Sequence, residues 1–212
     1  LTNYPAYINL TKSAGMQDDY EDIRFIDTRC NNDGSEITHE LEYYDSDSAE
    51  YWLLIDSLPT TGKTISVYYG NDNASRNTTI NEVWNSDYGI VYHMNASGND
   101  STSNNRNRIA DIGSPGDDNS VIGYGRDFST NNAWDQSDMT YWEQAWTVRT
   151  HELIFTTATD ITSRQALFAE GGTTNGVMMY ILDGRLYARW WVIGSGWNGA
   201  NINTSISANK NY

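Results

Sequence analysis

Seven aromatic side chains in the second half of the chain, Trp134, Tyr141, Trp142, Trp146, Trp190, Trp191 and Trp197, have the chemistry to hold a sugar. An exposed ring stacks on the apolar side of a pyranose, and nearby amides and carboxylates bond its hydroxyls. Trp197 is set among Gly194, Ser195, Gly196 and Gly199, so it falls on a loop and is the foremost expected contact. Trp190 and Trp191 are successive residues of a strand-like run, so they face opposite sides and cannot both enter one core. Trp142 and Tyr141 complete the expected ligand-binding set. The alternative is that these rings fill a large core, where each buried indole N–H needs a partner.

Acidic loops suggest a second chemistry. Asp100, Asn104, Asp111, Asp117 and Asp118 offer the hard oxygen ligands that Ca2+ takes, although their spacing is not that of an EF-hand loop. Solvated carboxylates are the alternative at each position. Catalysis is the third possibility. A glycoside hydrolase needs two carboxylates at a set separation, and Glu40 and Glu42 alternate as such a pair would on a strand. They lie in the first part of the chain, and no comparable acidic strand follows, Glu152 and Glu170 being isolated on theirs. His39, His93 and His151 show no H-x-x-x-H spacing for zinc, and no G-x-S-x-G elbow occurs. No residue is therefore assigned a catalytic role. Asp22 and Arg24 flank Ile23 on one side of a strand, where an ion pair would fix register. Cys30 is the only cysteine, so no intrachain disulfide forms; it is either a small buried thiol or a link to a second chain.

The elements that must position these residues are strands. Runs at 4–10, 23–27, 40–44, 51–55 and 64–69 are each bounded by Gly, Asn, Asp, Ser or Pro. Residues 71–82 lack apolar periodicity and read as a linker, which places a boundary near Trp84. Beyond it, 90–94 is a strand candidate, whereas 95–118 is a polar loop long enough to have a function of its own. Strands resume at 152–157, 165–170, 177–182 and 185–192. Asp183-Gly184 between two apolar runs is the strongest hairpin signal, because a two-residue Asp-Gly loop tolerates the positive φ of a type I′ turn. No sustained helical period appears. The expected fold is all-β, with two tandem β-sandwich modules spanning 1–83 and 84–212.

Charge narrows the partners. With 13 Lys and Arg against 28 Asp and Glu, the formal net charge of −15 repels phosphate backbones and anionic lipid, so nucleic acid is excluded as an expected partner. No run approaches the roughly 20 apolar residues of a membrane span, and no membrane insertion is expected in this segment. The chain opens at Leu1 without a Met, as expected if a leader was removed or the chain was cut from a longer one. This favours an extracellular or cell-surface location; N-x-[ST] sequons at Asn9, Asn73, Asn77, Asn95, Asn99 and Asn203 are candidate glycosylation sites, although a chain this rich in Asn, Ser and Thr produces several by chance.

Two ordered sets of motifs carry a resemblance. Asp22-Ile23-Arg24-Phe25, Glu40-Leu41-Glu42, Tyr51-Trp52-Leu53-Leu54-Ile55, Leu58-Pro59 and Tyr68-Tyr69-Gly70-Asn71 resemble a prokaryotic domain of unknown function found in large secreted and surface proteins, over residues 1–73. Trp84, Val91-Tyr92-His93-Met94 and Asp100-Ser101-Thr102-Ser103-Asn104 are similar to the opening of a laminin G-like, concanavalin A-like jelly roll. Gly123-Tyr124-Gly125-Arg126-Asp127-Phe128, Gln165-Ala166-Leu167-Phe168 and Gly184-Arg185-Leu186-Tyr187 are similar to its later strands. Such a jelly roll continues for several strands past the point where this sequence stops. The resemblance therefore implies either a fragment or a sandwich completed by strands of a neighbouring subunit. It also implies calcium at a sandwich rim, and hydrolase activity in some members.

The expected function is a non-catalytic adhesion module of a larger surface protein, binding a glycan or a cell-surface protein. The alternative is a structural subunit, with copies assembling into a homo-oligomer, filament or surface layer. A glycoside hydrolase stands third.

Overall fold

The computed structural model describes residues 1–27, 34–76, 82–129, 131–136, 139–142, 146–171, 175–192 and 202–212. It is nearly all-β, as the strand-like runs predict, and the chain divides into two compact units, Leu1–Gln136 and Ser137–Tyr212.

In the first unit, β1 (Thr2–Thr11), β5 (Ser48–Ser57) and β4 (His39–Tyr44) form an antiparallel sheet in the order β1-β5-β4. A second sheet, in the order β3-β2-β6, comprises β2 (Arg24–Asp27), β3 (Ser35–Glu36) and β6 (Ile65–Tyr68). Successive strand residues point to opposite faces. In β5 this sends Ala49, Tyr51, Leu53 and Ile55 into the core and Glu50, Trp52 and Leu54 to the other side. The core faces of both sheets share one cluster, built on Ile23, Phe25, Tyr51, Leu53 and Ile55 with Ile65 and Val67 packed against it. This is sandwich packing.

The sheet's other face is where the polar chemistry lies. Leu41 of β4 opposes Tyr51 and Tyr43 opposes Glu50, so Glu42 is the extra residue of a β-bulge. Further along the chain, β7 (Ala110–Ile112) pairs with β10 (Ala133–Asp135), and β8 (Gly116–Asn119) with β9 (Tyr124–Asp127). The β8–β9 turn reaches the first sheet, where the Gly123 amide donates to Glu50 Oε2 at 2.7 Å and Tyr124 packs edge-on to Tyr43 at 5.0 Å. Trp84, at the boundary expected from the sequence, is buried inside this unit.

The second unit holds a four-stranded antiparallel sheet of β11 (Gln165–Gly171), β12 (Asn175–Leu182), β13 (Arg185–Val192) and β14 (Ile202–Ser205), in sequence order. The β12–β13 hairpin turns at Asp183-Gly184 with φ of 49° and 70°, the conformation the dipeptide predicts. A single helical turn, α1 (Met139–Trp142), precedes the sheet.

Several local expectations fail. Residues 90–94 form no strand; Tyr92 makes an isolated bridge with Asp100, Met94 has a φ of 52°, and the Val91 amide is bonded to the Asp100 side chain instead of a neighbouring strand. Residues 152–157 likewise make only an isolated bridge, Thr156 with Asn211, flanked by bonds to the final residues. The polar stretch 95–118 contains all of β7 and most of β8. The pair expected between Asp22 and Arg24 does not form. Asp22 is buried and accepts from the Gly70 and Gln17 amides at 2.6 and 3.1 Å, while Arg24 lies 3.5 Å from Glu36. Cys30 lies outside the described residues.

Candidate functional site

Register across the second unit's sheet sorts its side chains onto two faces, because directly opposed residues share a face. Glu170, Val177 and Trp190 form one row, with Phe168, Met179 and Ala188 beside it on the same face. Trp191 opposes Gly176 on the other face, along with Met178, Arg189, Tyr180 and Tyr187. The two adjacent tryptophans are thus separated as strand geometry requires. Trp190 is 42% exposed; Trp191 lies against Gly176, where any added Cβ would collide with its ring.

The turn α1 and the segment after it pack onto the Trp190 face. The Trp142 ring meets Phe168 at 5.8 Å, and Tyr141 packs edge-on to both Trp142 and Trp146 at 5.1 Å. The Arg149 guanidinium lies over all three rings, 5.1 Å from Tyr141, 4.8 Å from Trp142 and 4.9 Å from Trp146. Rings attract such a cation through their negative π faces. Arg149 also donates to Glu170 Oε1 at 2.7 Å, and the His151 ring packs against Phe168 at 4.7 Å, tilted by 42°. Burial pushes the Glu170 carboxyl up against the lowering pull of Arg149, and burial with the nearby guanidinium pushes the His151 imidazole down. Trp146 remains 43% exposed.

Three of the five expected ligand contacts, Tyr141, Trp142 and Trp190, therefore lie on or against one sheet face. Trp191 lies on the opposite face, and Trp197 falls outside the described residues. Trp146, Arg149 and Glu170 complete the group. Glu170 and Arg149 were not expected from sequence, although Glu170 sits five residues into a predicted strand, where the bulge between Ala166 and Phe168 moves it to the face opposite the one that alternation from Gln165 would give. Trp134, in the first unit, is packed between Arg108 and Arg126 at 5.3 and 5.9 Å.

The five residues expected to ligate calcium are engaged separately. Asp100 is buried and accepts from the Val91, Thr102 and Arg106 amides and from the Thr102 hydroxyl. The Asn104 amide donates to the Tyr88 and Gly89 carbonyls, Asp111 pairs with Arg108, Asp117 with Arg126, and Asp118 accepts from the Asn119 amide. Among the described residues no group of three or more His, Cys, Asp and Glu is placed to hold a metal ion. Of the sequons, Asn9, Asn73 and Asn99 are exposed and Asn95 and Asn203 half-buried, Asn203 accepting from Arg185 at 2.7 Å; Asn77 is outside the described residues.

The first unit contains a cluster that sequence reading missed. Glu40 and Glu42 project from the non-core face of β4 toward His93, whose ring stands between them. Nε2 is 3.2 Å from Glu40 Oε2, and Nδ1 is in direct contact with Glu42 Oε2. Indoles complete the shell. Trp84 donates to Glu40 Oε2 and Trp52 to Glu42 Oε2, each at 2.7 Å, and the Ser101 hydroxyl donates to Glu40 Oε1 at 2.7 Å. Burial by itself pulls the imidazolium down, but the two carboxylates more than reverse it and raise His93 to about 10. The ring is a cation at neutral pH, so the cluster carries a paired charge and not an isolated one. The imidazole fills the gap between the carboxylates that a glycosidic bond would have to occupy. His93 is thus not solitary, and the signal that could have found it is the E-x-E of β4, which needed a cation opposite.

A family model described as a domain of unknown function (DUF2341) matches residues 19–103. The match takes in every residue of the Glu40–His93–Glu42 cluster and extends past the 1–73 span expected from the motifs, across Trp84 and the Val91-Tyr92-His93-Met94 run. No curated protein and no solved structure matches the chain.

Proposed function

We propose that the chain is a non-catalytic extracellular binding module that holds a glycan on the Trp190 face of its second unit. One observation carries the reading: the exposed indole of Trp146 packs with Arg149, which pairs with Glu170, and the exposed indole of Trp190 lies in the same cross-strand row as Glu170 on that face. Stacking platforms beside fixed polar groups are what a pyranose requires. The ordered motifs from Trp84 onward support a laminin G-like, concanavalin A-like jelly roll as the source of this sheet. The first unit contributes a pinned scaffold in this account, since its acidic pair is plugged by His93.

The test is a glycan array followed by calorimetry on the best hit. Trp146→Ala and Trp190→Ala are each expected to weaken binding about tenfold or more, on the scale of losing an aromatic anchor. Trp191→Ala, on the opposite face, leaves affinity within about twofold. Equal loss in all three variants with folding intact, or no glycan bound by the unsubstituted chain, overturns the proposal.

A second reading, assembly of copies by strand addition, is favoured by β1. This ten-residue strand is outermost in its sheet, and its far edge pairs with no strand among the described residues. Such edges accept a further strand.

A further inference from the structure

We infer that β1 pairs two copies of this chain, edge to edge and antiparallel about a twofold axis at Asn9; the inference rests on the strand-addition reading above and fixes the partner as a second copy. Backbone direction decides which groups the edge offers. The Lys12 amide donates to the Asp47 carbonyl at 2.8 Å, so Leu10, Ile8 and Ala6, of the same parity, turn their amides to β5, while Thr11, Asn9, Tyr7 and Pro5 face away from it. No strand among the described residues pairs with that side. Pro5 has no amide to give, and Asn3 leaves strand geometry with a φ of 49°, so the first half of the edge is guarded. Residues 7–11 are the part that a further strand can join.

Charge and register select the partner. Exposed edges are commonly protected by charged side chains, Lys above all, yet residues 1–11 carry none. A charged strand finds no counter-charge here, whereas β1 itself is an uncharged strand whose sequence complements its own edge. Centred on Asn9, antiparallel pairing sets Asn9 against its own counterpart, Tyr7 against Thr11 and Ile8 against Leu10. All three outward amides then meet carbonyls, and Pro5 stays outside the paired segment. Moving the axis to Ile8 would bring Pro5 opposite Thr11 and lose a bond, and moving it to Leu10 would set Tyr7 against Ser13, past the end of β1. Ile8 and Leu10 are half-buried and pack against the core cluster, so pairing them across the axis continues one apolar face through both copies. The acidic excess does not forbid the contact. Glu50, beside Asn9 on β5, would lie three strand spacings, about 14 Å, from its counterpart, beyond the Debye length of about 8 Å at physiological salt. A contact of this kind uses the same patch on both copies and closes at two, so the edge makes a dimer and not a filament.

The experiment oxidises the chain with copper phenanthroline in a Cys30→Ser background, which removes the only native thiol, at a salt concentration that screens the net charge. Across the axis the two Asn9 Cα atoms stand about 5.5 Å apart, within disulfide reach, so Asn9→Cys is expected to run mainly as a cross-linked dimer. Thr11 lies about 14 Å from its own counterpart, and Thr11→Cys stays monomeric under the same oxidation. Hydrogen exchange needs no variant. In the unsubstituted chain the Tyr7, Asn9 and Thr11 amides are expected to exchange about tenfold or more slowly once the dimer fraction passes about nine-tenths. Equal cross-linking at both positions, the mark of parallel pairing, overturns the inference and leaves strand addition at β1 intact. Protection of the three amides without a cross-link in Asn9→Cys does the same. Association that leaves those amides unprotected, or a parent chain monomeric at every salt concentration, overturns the strand-addition reading and this inference together.

Discussion

An imidazole set between two glutamates is stable inside a protein only while it carries its proton. Below the unfolded value near 6.5, His93 is charged in both states and the folded protein has the full benefit of its two carboxylate partners. As pH rises from there through the folded value of about 10, the unfolded chain releases that proton first, and the stabilisation is lost progressively. Urea melts between pH 6 and pH 10 are therefore expected to show a falling midpoint, and His93→Gln should flatten that dependence. A midpoint as steep in the variant as in the parent would assign the slope to other groups. Removing the ring altogether with His93→Ala leaves two buried carboxylates facing each other and should cost about 3–5 kcal/mol, the usual scale for breaking a buried pair. At this scale the sequence displayed Glu40 and Glu42 as an alternating pair but not their partner. His93 is remote in the chain, and nothing in local spacing records that a later segment lays its imidazole over β4.

Elements were the most legible scale, with exceptions that share one cause. The runs that became β1, β2, β4, β5 and β6 alternate or carry β-branched residues between turn formers, and the Asp183-Gly184 hairpin is dictated by backbone sterics alone. The expected strands at 90–94 and 152–157 have suitable residues, yet side chains and the chain's last residues compete for their backbone groups, and only isolated bridges survive. Bulges were equally invisible, although one turns Glu42 toward His93 and another sets the parity of Glu170. Gly176 gives a test at this scale, because an added methyl would collide with the Trp191 ring and the Glu170 carbonyl across two neighbouring strands. Gly176→Ala is expected to cost about 1–3 kcal/mol by overpacking, read from thermal denaturation. A stability unchanged within error would mean that the Trp191 ring moves aside freely.

For the whole molecule, charge and edges pull in opposite directions. A net charge of −15 keeps copies apart, whereas the edge of β1 that pairs with no strand among the described residues invites strand addition. If assembly is a function, raising the salt concentration should screen the repulsion and increase the assembled fraction in sedimentation velocity. Asn9→Pro, at an exposed position whose amide faces away from β5, should abolish that increase, by removing an edge amide and bending the edge. A monomer at all salt concentrations counts against the structural reading and leaves recognition by the aromatic face as the role. No helix among the described residues is long and apolar enough to cross a membrane.

The amino-acid sequence by itself determined the all-β class, most of the strands, the hairpin and the acidic surface, because these follow from side-chain period, backbone sterics and composition, all of which are local or additive. Only the tertiary structure decided which distant residues meet. It set His93 between Glu40 and Glu42, brought Glu170 into one cross-strand row with Trp190, and left Asp100 saturated by its own loop. Such meetings depend on strand register and bulges, where one residue of slip exchanges every face, so no reading along the chain can supply them.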